Sequence, residues 1–415
     1  MPELLRIRPD MGESGEEGEA PRVELSSDFR EFERAASVEE VIALAREVIA
    51  DPSFPTVRAW RKAGGRAMGC FPVYTPQELA HSLGMLPVSM QGGGENLQIT
   101  RADAALGSFL CSISKSTLEM ALTGLLDPFD AFVFPYICDV SRNLEGIFSR
   151  VLPDRTTHML HLPQNFTSPA TVPFLTAEYR SLVAKLERVA RRRYSPEDLS
   201  ASIALFNEQR ALVQRLASVK QEAPGKVSIV ECYLLVRLGG LLPREVHVPL
   251  LRRALEEIER RPEKRRDAIR VTLVGPFCEQ PTLELLQLVE DVGCTVVGDE
   301  LQMLHRWCPR VEPGSDPLSG LAEAYVRTPV DIGVRSTPTT KGEAILARVD
   351  ESRAQGVLFL TAKFCEPALE DVVLYRRALD RRRVPYLHME FEEQSTTFEQ
   401  ARLQLETFVE SILFD

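Results

Sequence analysis

Three runs in this chain, AFVFPYI, IRVTLVG and GVLFLTAKF, are apolar along almost their whole length rather than at alternate positions. A strand that is apolar on both faces must be covered on both, which happens in parallel sheets flanked by helices. Helical patterns lie beside each run: SKSTLEMALTGLL before the first, PTLELLQLVEDVG after the second and EDVVLYRRALDRRR after the third. The strands LPVSM, CTVVGD and PYLHMEF complete a strand–helix–strand alternation that occurs twice. The chain is therefore predicted to be α/β, with two lobes of similar make-up and parallel sheets. No residue-level repeat accompanies the duplication.

With 415 residues the chain is too long for one ordinary core, and two or three domains are expected. Residues 1–27 are acidic, rich in Gly and Glu and poor in large apolar side chains, and read as a flexible tail. Residues 28–176 read as N-terminal helices followed by the first α/β lobe. They include SVEEVIALAREVIA behind a capping Ser37, and PQELAHSLG, which opens on Pro76 and stops at Gly84. Within this lobe ADAALGSFL reads as a further strand, and Gly92-Gly93-Gly94 as a flexible turn. Residues 177–266 are predominantly helical, with Ser195 and Pro196 opening SPEDLSASIALFNEQRALVQRLASV. Residues 267–415 form the second lobe.

The net charge of −11 argues against a general nucleic-acid binder, whose footprint would be basic. The Arg191–Arg193, Arg265-Arg266 and Arg381–Arg383 runs read as solvated helix faces. No apolar run approaches about 18 residues, and the first residues lack the apolar centre of a signal peptide. A cytoplasmic protein without a membrane association is expected. In that compartment the eight cysteines are expected to be buried or metal-bound rather than paired as disulfides.

Three of them stand just past apolar runs: Cys111 after ALGSFL, Cys138 after AFVFPYI and Cys365 after VLFLTAKF. Carboxyl ends of strands are where open α/β sheets place their ligands. The separations, 138 − 111 = 27 and 365 − 138 = 227 residues, contain no local CxxC loop, so a shared site has to be assembled by tertiary folding. Cysteine also occurs freely as a small core residue, which leaves plain burial open for each. Several chemistries are absent from the sequence. There is no GxxxxGK[ST] phosphate loop, no GxSxG elbow and no HExxH helix; His158 and His161 sit in the extended segment HMLHLP. Structural zinc sites usually take ligands in close pairs, so widely spaced thiols suit an iron–sulfur cluster better.

The segments FPVYTPQELAHSLGMLPV, ADAALGSFLCSISKSTLEMALTG, FDAFVFPYICDVSRNLEG, HLPQN, VLFLTAKFCEP and PYLHMEFEEQSTTFEQARLQLETFVESI occur in this order. Together they resemble the 2-hydroxyacyl-CoA dehydratase / benzoyl-CoA reductase family, and within it the C-type subunits of ATP-dependent (class I) benzoyl-CoA reductases. The resemblance runs from about Val57 to the C-terminus. It implies two Rossmann-like lobes, with a [4Fe–4S] cluster in the cleft between them, held by Cys111, Cys138 and Cys365. It implies a sister cluster-bearing subunit, ATP-hydrolysing activator subunits and a ferredoxin donor. The implied reaction is reductive dearomatisation of benzoyl-CoA or a substituted relative to the cyclic dienoyl-CoA. A radical 2-hydroxyacyl-CoA dehydratase subunit and a non-catalytic electron-relay subunit are the alternatives. Three thiolates on four irons would leave one position for a substrate oxygen or another exogenous ligand.

Lys115, Asp139, Arg142 and Glu366 are the candidate catalytic groups by their place next to these cysteines, with Ser116, Asn143 and Lys363 beside them and His305 and Gln164 as further candidates. Each also has an ordinary use as a helix cap or surface ion-pair partner. Cys278 follows VTLVGPF much as Cys365 follows VLFLTAKF. The resemblance places a ligand at Cys365 but requires none at Cys278, so Cys278 is expected to stand outside the ligand set.

Overall fold

A computed structural model of the chain describes residues 29–71, 73–264, 267–275, 278–299, 310–327, 338–395 and 397–414. The acidic tail, the Arg265-Arg266 pair and His305 lie outside the described residues. Two four-stranded sheets carry the fold. The first contains β1 (Arg66–Cys70), β2 (Met85–Ser89), β3 (Ala131–Pro135) and β4 (Thr156–Leu160) in the order β2-β1-β3-β4. The second contains β5 (Ile269–Val274), β6 (Cys294–Asp299), β7 (Gly356–Ala362) and β8 (Tyr386–Phe391) in the order β6-β5-β7-β8. All neighbouring strands are parallel. The two orders are the same, so the duplicated pattern in the sequence is a duplicated topology.

The all-apolar runs account for the interior. Every residue of β3 and β7 is buried, as a central parallel strand requires, and so is every residue of the edge strand β2. In each lobe the chain steps outward from the first strand to an edge and then crosses back to its other side. The switch points lie between β1 and β3 and between β5 and β7, and crevices at such points collect ligands. Helices Thr171–Ala190, Pro196–Glu222, Ile229–Leu238 and Arg244–Arg260 join the lobes. Their starts follow local chemistry: Ser195 accepts from the Asp198 amide at 3.1 Å, and Ser228 with Glu231 forms a reciprocal cap. Among the described residues no helix is long and apolar enough to cross a membrane.

One expected strand is absent. Residues 102–105 of the segment read as ADAALGSFL belong to a short helix, Arg101–Ala105, and the chain from 106 to 110 is irregular. Its alanines favour a helix, and the Glu119 carboxylate accepts from the Thr100 and Ala102 amides at 3.0 and 2.7 Å. The segment is thus pinned across helix Ser112–Leu122 instead of joining the sheet. Cys111 therefore does not follow a strand, whereas Cys138 and Cys365 do. Conversely, β1 leaves little mark in the sequence, because the short segment RAMGC contains a glycine, is buried from Ala67 to Cys70 and offers no alternation.

Candidate metal centre

Cys111, Cys138 and Cys365 each occupy the residue just before a helix: Ser112–Leu122, Asp139–Val151 and Glu366–Arg382, respectively. Helix N-termini present unpaired amides and partial positive charge, which favour a thiolate over a thiol. The Cys138 sulfur accepts from the Ser141 amide at 3.4 Å, and the Cys111 sulfur lies 3.1 Å from the Ser114 hydroxyl. Cys365 is delivered by a tight turn in which its amide donates to the Ala362 carbonyl at 3.0 Å. Phe364 in that turn has φ +64°, a left-handed conformation that costs a residue with Cβ about 1–3 kcal/mol.

The thiols face one another across the two lobes. Burial raises the Cys111 thiol well above its ordinary value, followed by the nearby Glu279 and then by Cys365 and Cys138. Cys138 is raised in the same way, with Cys365 among its charged neighbours. Cys278 belongs to the same group: its side chain is hydrogen-bonded to Cys365 and lies close to Cys111 and Cys138. Four thiols therefore share this space, where the sequence suggested three.

This donor set fits an iron–sulfur cluster. It consists of soft sulfur ligands, largely buried, at the positive ends of helices. Among the described residues no three His, Cys, Asp or Glu side chains are grouped to hold a single metal ion. Thiols that share a space without closing on one point suit a cubane, in which each thiolate serves its own iron, better than one tetrahedral zinc.

A pair of buried carboxyls closes the floor of the site. Glu279 is 1% exposed and Glu393 5% exposed. Ser112 donates from its hydroxyl to Glu279, and the Ile113 amide donates to the other Glu279 oxygen at 3.1 Å. The Glu393 amide donates to the same Ser112 hydroxyl at 3.1 Å. The helix that follows Cys111 is thereby tied to the loops after β5 and β8. Burial pushes the Glu279 carboxyl well above the usual carboxylate range, and Glu393 pushes it further. Burial likewise raises Glu393, to about 7, against the opposing pull of Ser116 and Arg237. The Ser116 hydroxyl and the Gly93 and Gly94 amides face Glu393, though none closes a well-formed hydrogen bond on its carboxylate oxygens. The triple glycine is a cradle: Gly92 has φ +81°, and a Cβ there would stand 1.6 Å from Glu393 Oε1.

A pH dependence follows. An unfolded Glu titrates near about 4.3, whereas folded Glu393 holds its proton to about 7. Between those values the folded state binds more protons, so the stability contributed by this group falls as pH rises, by about 4 kcal/mol in total. Glu393→Gln removes the ionisation. In the cluster-free protein, the variant's stability relative to wild type is expected to improve by about that amount between about pH 4 and pH 8. Urea unfolding across that range checks it; a constant difference between the two proteins would contradict the assignment.

The groups proposed from sequence neighbourhood lie mostly at the rim. Lys115 pairs with Asp103 at 2.9 Å and donates to the Ser108 carbonyl at 3.4 Å. Asp139 and Glu366 are exposed in the first turns of their helices. Arg142 lies over the Tyr136 ring, 5.5 Å from its centroid, and 3.9 Å from Asp139. Lys363 lies 3.6 Å from Glu392, while Asn143 and Gln164 are exposed. Ser116 is buried and donates to the Ile113 carbonyl at 3.2 Å. A polar pocket of about 380 Å³ opens beside Ser112, lined by Asp103, Leu110 and Lys115 from the first lobe and Glu392 and Gln394 from the second. His158 and His161 form no metal pair: His158 is buried in β4 and His161 engages Glu178 at 3.2 Å. Sequence reasoning misses Glu279, Glu393 and Ser112. Their only signal is proximity to Cys278, FEEQ and Cys111.

Comparison with known proteins gives a consistent set of relatives. A family model described as 2-hydroxyglutaryl-CoA dehydratase, D-component, matches residues 72–412. The C-type subunit of benzoyl-CoA reductase from Thauera aromatica is 33% identical over 381 residues, covering 91% of this chain and 99% of the relative. The (R)-phenyllactyl-CoA dehydratase beta subunit of Clostridium sporogenes is 24% identical over 369 residues, 88% of this chain and 97% of the relative. The beta subunit of (R)-2-hydroxyglutaryl-CoA dehydratase from Acidaminococcus fermentans is 24% identical over 383 residues, 91% and 100%.

Proposed function

We propose that this chain, which belongs to the 2-hydroxyglutaryl-CoA dehydratase D-component family, is the iron–sulfur subunit of an ATP-dependent aryl-CoA reductase. The observation that carries the choice of reaction is the 33% identity to the C-type subunit of benzoyl-CoA reductase along nearly the full length of both chains, against 24% for the two dehydratase beta subunits. The assignment of a cluster rests on the convergence of largely buried thiols at helix N-termini of both lobes.

Cys111, Cys138 and Cys365 would hold a [4Fe–4S] cluster. Such a cluster, when bound, supplies one-electron transfer at potentials that reach roughly −700 mV. Adding electrons to an aromatic ring needs a potential at or beyond that limit, so an outside drive is required. The sequence has no phosphate loop to provide it, which supports separate ATP-hydrolysing activator subunits and a ferredoxin donor as partners.

The chain's own residues shape the site around those thiols. The three helix N-termini favour the thiolate form and offset negative charge there. Burial raises the Glu279 and Glu393 carboxyls at the floor of the thiol site above the usual carboxylate range, Glu393 to about 7, so both hold protons to higher pH than exposed carboxyls do. Lys115 and Arg142 supply positive charge at the rim, and Asp139 and Glu366 are exposed carboxylates there. Phe109 is 69% exposed and Phe364 36% exposed, each within two residues of a site cysteine. A sister subunit docked there would cover this apolar surface and exclude water from the thiols.

The test is anaerobic assay of the complex assembled with its sister and activator subunits, offering benzoyl-CoA and a 2-hydroxyacyl-CoA in parallel. ATP-dependent formation of a cyclic dienoyl-CoA is expected. Dehydration of the hydroxyacyl-CoA with no ring reduction would assign the chain to the dehydratases instead.

A further inference from the structure

We propose that Cys278 supplies a fourth thiolate to the cluster, closing it to substrate and making this chain's cluster an electron relay. The inference rests on the cluster reading above and goes beyond it in the ligand set.

β5 and β7 are hydrogen-bonded parallel neighbours with Val274 opposite Phe359, so their carboxyl ends open at the same edge of the sheet. Cys278 lies four residues past Val274 and Cys365 six past Phe359 (278 − 274 and 365 − 359), both at the topological switch point of the second lobe. Cys278 is 6% exposed, hydrogen-bonded to Cys365 and close to Cys111 and Cys138. The other buried thiols differ in surroundings. Cys70 has Arg244 as its foremost charged neighbour, and Cys232 has Lys220. Cys278 is thus placed with the thiol cluster and not among the core cysteines.

On binding, the Cys278 thiol would lose its proton to solvent and form one Fe–S bond, with no change in electron count. Its hydrogen bond to Cys365 would be replaced as the two sulfurs move onto separate irons. The cluster would then be held by two thiolates from each lobe. Four protein thiolates leave no exchangeable iron position, which suits outer-sphere electron transfer and not inner-sphere substrate activation. Activation of the acyl-CoA would then belong to the cluster of a partner chain.

The experiment is Mössbauer spectroscopy of the anaerobically reconstituted full chain, as wild type, Cys278→Ser and Cys278→Ala, with the rate of conversion to a three-iron form under mild oxidant as a second readout. The wild type is expected to show all irons in sulfur-only coordination and to resist loss of a single iron. The variants should show one distinct iron and convert on the order of tenfold faster. If neither variant holds a cluster, the wild-type spectrum alone decides. A distinct, exchangeable iron already present in the wild type and unchanged by the substitutions would overturn the inference while leaving the cluster reading intact. Absence of any iron–sulfur spectrum from folded wild type would instead overturn the reading beneath it.

Discussion

Replacing Cys138 by alanine is expected to strip the site of iron and to end turnover of the assembled complex. Its sulfur caps the helix that follows β3 and accepts from the Ser141 amide at 3.4 Å, so both its position and its charge are fixed by the fold. Cys111 stands at the N-terminus of its own helix, with its sulfur 3.1 Å from the Ser114 hydroxyl. Removing either leaves the first lobe with one thiolate and no further thiol of the site on that side, so the cluster becomes labile. The expected fall in iron content is on the order of tenfold or more, with the secondary structure unchanged by circular dichroism. Cys365→Ala is expected to lose iron more slowly, because Cys278 stands beside it. The double replacement of Cys278 and Cys365 removes both second-lobe thiols of the site and should behave like Cys138→Ala. Iron analysis after anaerobic desalting separates these cases. Full iron retention by both Cys111→Ala and Cys138→Ala would mean that the thiols are core residues and nothing more.

The isolated chain, loaded with its cluster and supplied with ATP and reduced ferredoxin, is expected to show no aryl-CoA reduction. The reason is energetic. A ferredoxin of the plant type works near about −400 mV, and the gap to ring reduction needs ATP hydrolysis coupled to electron transfer. Coupling requires backbone amides and a lysine arranged around the phosphates, and the sequence contains no such loop. Activity should appear only when activator and sister subunits are added together. Turnover by this chain alone would place the energy-coupling step within it and contradict the proposed division of labour.

Much of the fold was legible because parallel strands buried on both faces leave a simple mark. AFVFPYI, IRVTLVG, CTVVGD, GVLFLTAKF and PYLHMEF all supply strands, and the capping residues Ser37 and Ser195 mark helix starts. The error at ADAALGSFL has a particular cause. Its helix is stabilised by Glu119, a residue of the following element, and no window confined to the segment could reveal that contact. Cys111 thus stands out in the sequence through a strand that does not exist, although its place at a helix N-terminus gives it the same chemical setting as Cys138 and Cys365.

The buried carboxyls were illegible for a related reason. Ser112 and Glu279 are 167 residues apart, and Ser112 and Glu393 are 281 apart. Nothing near either glutamate marks it as buried, and acidic residues are ordinarily exposed. The Gly92-Gly93-Gly94 loop, read as a flexible turn, is shaped to admit the Glu393 carboxylate, a requirement set by a residue three hundred and one positions away (393 − 92). Cys278 shows the limit most sharply. Sequence context separates it from Cys365, whereas the pairing of β5 with β7 brings the two thiols together.

The claim on which all of this depends is that the chain carries a four-iron cluster between its lobes. The most direct measurement is iron and acid-labile sulfide per chain, with the visible absorption spectrum, on protein purified and reconstituted without oxygen. The account predicts a brown protein with about four irons and four sulfides per chain. A colourless, iron-free protein that is nonetheless fully folded after reconstitution would contradict it.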